Sequence, residues 1–139
     1  MKNLNSLLVI LVMTLVFVGC KKDDDAEPDN LPIGRHWKIT QLIFTNSLGS
    51  VDQVPKFASC DVDDIYRFRD DFTYAREEGA SKCDPNDPNI VEQGTWSREE
   101  NKFVWDGDEF NIDEINNQTF KITATGSGGS SVTVTFTAQ

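Results

Sequence analysis

Soft and basic ligand groups are scarce in this chain of 139 residues, which has one His, three Cys and two Met. That leaves little material for a zinc site or a Ser-His-Asp triad, and no redox pair beyond one disulfide. Positive charge is also in deficit. Lys and Arg number 13 against 23 Asp and Glu, a formal net charge of −10, the wrong sign for wrapping a phosphate backbone. Nucleic acid is therefore not expected as a partner. No segment repeats its apolar residues with a period of 3.6, so a helical core is not expected either. With 38% hydrophobic residues over this length, there is material for one domain and not for two.

Long apolar runs are confined to the start of the chain. After Lys2, residues Leu7 to Val18 form an uncharged run of twelve broken only by Thr14, and Gly19-Cys20 follows. A bilayer-spanning helix needs about 20 apolar residues, so the run fits an export signal, helical before cleavage. Residues 1–19 are read as that signal. A small residue directly before Cys at the end of such a run, Phe17-Val18-Gly19-Cys20, resembles the bacterial lipobox. The resemblance implies a Cys20 lipidated with diacylglycerol and a palmitate-type acyl chain, anchored in the outer membrane. The charged stretch after it, Lys21 to Asn30, has no apolar residue larger than Ala26 and reads as a flexible acidic tether, with residues 20–33 assigned to it. Surface-exposed and periplasm-facing anchoring both remain open. Without Lys2 the balance is 12 positive against 23 negative side chains, or −11.

An exported chain with an odd Cys total needs a role for the odd one. With Cys20 given to lipid, Cys60 and Cys83 are left as a structural disulfide. Closing the loop of 22 residues between them contributes about 3.5 kcal/mol in the chain-entropy model.

Residues 34–139 carry the pattern of an all-β domain. Strands are expected over 35–45, 65–69, 72–76, 93–98, 102–105, 109–115, 119–125 and 132–136, from alternating apolar positions separated by turn residues. Asp70-Asp71, Asp106-Gly107, Asn116-Asn117-Gln118 and Gly126 to Ser130 mark the turns. A slip in alternation near Gln41 suggests a bulge, and at most one helical turn is expected, near residues 58–64. Short antiparallel neighbours without a long crossover favour an eight-stranded up-and-down barrel over a sandwich. The sequence segments Gly34-Arg35-His36-Trp37, Cys60-Asp61-Val62-Asp63-Asp64-Ile65-Tyr66-Arg67-Phe68, Lys82-Cys83-Asp84 and Gly94-Thr95-Trp96 resemble the small lipocalin-like lipoproteins of Bacteroidetes. The resemblance implies a calycin-like barrel in an exported lipoprotein and carries no chemistry with it.

The aromatics Trp37, Phe68, Trp96, Phe103, Phe110, Phe120 and Phe136 fall at positions that can face inward. An eight-stranded barrel is just wide enough to be filled by such side chains or to hold one small ligand, and the residues leave both open. Trp37 is read as a plug at a closed end. The loops 46–59 and 77–90 are expected to form the rim. Carboxylates crowd near the cysteines: Asp61, Asp63, Asp64, Asp70, Asp71, Asp84, Asp87 and Glu92. Their spacing fits no EF-hand, and a solvated acidic rim is preferred to a Ca²⁺ site formed by Asp61, Asp63, Asp64 and Asp84. No cofactor is implied. His36 stands without a nucleophile and reads as a surface or packing residue. The leading expectation is a non-enzymatic lipoprotein binding a small apolar ligand; the alternative is an interaction module working through its loops.

Overall fold

The computed structural model describes residues 32–139, so Cys20 and the apolar run before it lie outside the described residues. Nine strands form one sheet: β1 (Trp37–Asn46), β2 (Gly49–Asp52), β3 (Ile65–Phe68), β4 (Thr73–Glu77), β5 (Ile90–Glu99), β6 (Lys102–Trp105), β7 (Asp108–Ile115), β8 (Thr119–Thr125) and β9 (Ser131–Ala138). Every neighbouring pair is antiparallel, and β9 returns to pair with β1, so β1 and β3 to β9 close an eight-stranded up-and-down barrel. The all-β barrel read from the alternation is the fold the chain adopts. The expected bulge is present as well, as a register shift in the β1 to β9 ladder between Ile39 and Gln41.

β2 was not expected; its residues fall in the segment read as a rim loop. Asn46 pairs with Gly49 across a two-residue turn, and the Asn46 side chain accepts the Leu48 N–H at 2.8 Å. This local capping folds residues 49–52 back along β1 as a hairpin. It also occupies the β1 edge that β3 would otherwise cover. The β1 to β3 ladder therefore has a single rung, Trp37 to Tyr66, and the barrel is thinnest there. A short 3-10 turn at Val54–Lys56 follows β2, and the helical turn expected near residues 58–64 is present as bonds from Asp61 and Val62 N–H to the Ala58 carbonyl.

The core gathers at one end. Trp37, Phe68, Tyr74, Phe103, Phe120 and Phe136 are fully or almost fully buried. Phe68 sits at their centre, its ring 5.5 to 6.3 Å from those of Tyr74, Trp96, Phe103, Trp105, Phe120 and Phe136, mostly edge to face. Pro32 is buried over this end and its carbonyl accepts the Trp37 indole N–H at 2.7 Å, so Trp37 closes the barrel as expected. Pro32 and Ile33, assigned above to the tether, belong to the folded body, because both pack on the closed end. Among the described residues, 32–139 hold every strand, the core and the disulfide, the parts a single domain needs to fold.

Candidate functional site

Strand direction sorts the connections between the two barrel ends. The β3 to β4, β5 to β6 and β7 to β8 turns lie at the closed end beside Trp37. The β1 to β2 hairpin, the 78–89 connection, the Asp106-Gly107 turn and the Gly126 to Ser130 turn lie at the other. Both segments read as rim loops are at this second end. It is open: a cleft of about 280 Å³ is floored by Leu42, Trp105, Phe110, Val132 and Val134, with Tyr74, Glu92, Asp106 and Asp108 along one wall. Beyond Val132 a further hollow of about 390 Å³ continues past Phe44 and Ala124 to the Gly126 turn. One water needs only about 10–15 Å³ of such volume, so the opening has room for a small organic molecule.

The polar wall follows from period-two alternation. In β5, Glu92, Gly94 and Trp96 share the inward face; in β4, Tyr74 and Arg76 do, and Tyr74 pairs with Gly94 while Arg76 pairs with Glu92. The Tyr74 hydroxyl lies 2.6 Å from Glu92 Oε1 and 2.5 Å from Asp106 Oδ2, and Asp106 Oδ1 accepts the Thr95 N–H at 2.8 Å. Asp106 reaches inward because the two-residue turn takes left-handed dihedrals, φ 49° at Asp106 and 91° at Gly107. A Cβ on residue 94 would overlap its carboxylate, which is why a glycine stands in Gly94-Thr95-Trp96. Burial, then the Asp106 and Glu92 hydrogen bonds, push the Tyr74 phenol well above its ordinary value, against the indole of Trp105. Tyr74 therefore stays a neutral phenol, its single hydroxyl proton shared between two carboxylates in reach.

Arg76 links this wall to the seam between β1 and β3, with Nε 3.4 Å from Glu92 Oε2 and Nη1 3.5 Å from Asp64 Oδ2. Asp64 is 3% exposed, and burial raises its carboxyl although Arg76 pulls the other way. A void of about 20 Å³ beside Asp64, Tyr66 and Arg76 has room for a single water. Burial pushes the Tyr66 phenol up to about 12.

The residues singled out from sequence separate into those brought together and those kept apart. Trp37, Phe68, Trp96, Phe103, Phe120 and Phe136 all enter the core, whereas Phe110 is half-buried and floors the cleft. Cys60 and Cys83 form a disulfide with Cα atoms 5.2 Å apart, tying the 78–89 connection to the segment before β3. The four acids of the Ca²⁺ alternative have separate neighbours, with Asp63 Oδ1 and Asp64 Oδ1 each buried without a hydrogen-bond partner. Asp63 Oδ2 accepts from the Ser81 N–H and hydroxyl, Asp64 faces Arg76, Asp84 accepts from Asn86, and Asp61 lies beside the Cys83 sulfur. Asp61 and the two disulfide sulfurs do lie within 4.8 Å of one another, but sulfurs bound to each other offer no thiolate to a metal. Exposed His36 is at the closed end, where its Nε2 accepts from Arg67 Nη1, since a guanidinium can only donate. Tyr74, Arg76 and Asp106 were missed as site residues; reading alternation along β4 would have placed the first two. No family model, curated protein or solved structure matches the chain.

Proposed function

We propose that this chain is an exported, non-enzymatic lipocalin-like lipoprotein, held at the outer membrane through lipid on Cys20, that takes a small apolar molecule into the open end of its barrel. The observation that carries the reading is the half-filled interior. Aromatic rings pack one end solid, while the other keeps an apolar-floored cleft of about 280 Å³, close to the lower size of ordinary ligand sites. Glu92, Asp106 and Asp108 on the wall are hydrogen-bond acceptors and favour a ligand whose polar end donates. Glu92 and Asp106 both turn oxygens onto the Tyr74 hydroxyl, and His36 lies at the far end, which supports binding over catalysis.

One observation favours a second reading, an interaction module acting through its exterior. Leu48, at the tip of the β1 to β2 hairpin, is 95% exposed, with exposed Phe44 and Val51 behind it. Native mass spectrometry of residues 32–139 after exposure to a membrane-lipid extract separates the two. Ligand carriage predicts a retained small-molecule mass that is lost in Val132→Phe, which fills the junction of the two hollows. Apo protein throughout, with no displaceable hydrophobic probe, leaves the interaction module.

A further inference from the structure

The chain is strongly acidic, yet three of its five arginines and its one histidine meet at a single groove. The groove opens at the closed end, where β1 and β3 part after their one rung at Trp37 and Tyr66. The segment 33–36 diverges there from the segment 67–70, leaving about 410 Å³ lined by Ile33, Arg35, His36, Arg67, Phe68 and Arg69, with Asp70 as the one lining carboxylate. Arg67 is paired with Glu77 at 2.6 Å. The other two are held by neutral groups: Arg35 Nη2 donates to the Asn117 side chain at 2.6 Å, and Arg69 Nη1 reaches the Thr73 hydroxyl at 3.4 Å, although the Arg69 charge also acts on the Asp71 carboxyl that the Thr73 hydrogen bonds hold low. Neither forms a salt bridge among the described residues, although carboxylates outnumber cationic side chains 23 to 13 in the chain. Arg35 Nη1 is buried and has no hydrogen-bond partner. Like charges held together, with one donor buried and unmet, are costly in an empty groove and favourable once an anion bridges them.

We infer that this groove is a binding site for a phosphate group. Guanidinium forks match the oxygens of a tetrahedral anion and bind it by paired, charge-assisted hydrogen bonds. Arg35 supplies the buried donor without a partner, Arg69 a guanidinium held by the Thr73 hydroxyl, and Arg67, fixed by Glu77 and His36, completes the positive wall. Ile33 and Phe68 add apolar surface beside the charges, which suits a phosphate carried on an organic group. The site lies where the described chain begins, at the opposite end from the cleft, so a lipid headgroup and a free phosphate compound both have this chemistry. It does not depend on what the cleft binds.

Titration of residues 32–139 with inorganic phosphate, followed through the arginine side-chain NMR signals, tests the site. Saturable shifts are expected at Arg35 and Arg69, with affinity falling about tenfold or more in the Arg35→Gln, Arg69→Gln double variant and little changed in Lys121→Gln. Thermal melts of each variant check that the barrel remains folded; should the double variant unfold, each single exchange is titrated instead. Co-sedimentation with vesicles of phosphatidylglycerol, against phosphatidylcholine alone, distinguishes the source. Binding to the anionic vesicles that free phosphate competes away identifies a headgroup, and phosphate binding without vesicle binding identifies a free phosphate compound. Weak, unsaturating shifts spread equally over all cationic side chains would overturn the proposal, as would a double variant that binds like the parent.

Discussion

The two ends of the barrel are built from the same strands, yet one is solid and the other hollow. The inward positions explain the difference. Along β8 the inward side chains shrink toward the open end, from Phe120 to Ile122 to Ala124, and along β9 they grow away from it, from Val132 and Val134 to Phe136. In β5 the series is Glu92, Gly94, Trp96. Side-chain volume, graded along each strand, decides where an eight-stranded barrel is filled, because the backbone cross-section is nearly constant. Charge follows the gradient too: carboxylates line the mouth, and arginines flank the plugged end.

The largest expected contrast is between two phenylalanines. Phe68 is the hub of the closed end, and Phe68→Ala should cost about 3–5 kcal/mol, since its neighbours cannot collapse into the space. Phe110 is only half-buried beside an existing cleft, and Phe110→Ala should cost about 1 kcal/mol. Urea unfolding of the two variants measures both. Similar costs would mean that the open end is as tightly packed as the closed one.

The junction between the ends rests on Gly94. Its missing side chain lets Asp106 fold over β5 and meet Tyr74, so Gly94→Ala should force the Asp106 turn outward and cost about 1–3 kcal/mol, as overpacking does. Asp106→Asn in the same background is the companion: because the contact is already lost, the second exchange should add little, and an additive loss in urea unfolding would show that the two act separately.

The strands and the disulfide were legible because alternation and cysteine count are local signals. Six of the seven aromatics singled out are core residues for the same reason. The polar wall was not legible as a site, since acids are frequent in this chain and only cross-strand register shows that Glu92 and Arg76 are opposite one another. β2 was hidden by composition: Gly49-Ser50-Val51-Asp52 has one apolar residue, and the Asn46 cap that forms the hairpin acts through a side chain. The size gradient, by contrast, could have been read by comparing inward positions at the two ends of each strand.

The smallest predicted effect concerns two adjacent acids with opposite surroundings. Burial raises the Asp63 carboxyl, but the hydrogen bonds from Ser81 outweigh it and hold the group below its ordinary value of 3.8. Asp64 is raised above the same value by burial, with Arg76 opposing. A lowered carboxyl contributes stability that is present above 3.8 and is lost as pH falls through its folded value. A raised one contributes stability at acid pH that is lost as pH rises through its folded value. Compared with the parent at each pH, Asp63→Asn should therefore be most costly near neutrality and approach no effect in acid, while Asp64→Asn should be relatively more costly in acid than at neutrality. Urea unfolding at pH 7 and at several acid pH values tests the pair, because the general acid sensitivity of the chain cancels in each difference. Two difference curves sloping the same way with pH would show that the rim and the buried seam hold their carboxylates alike.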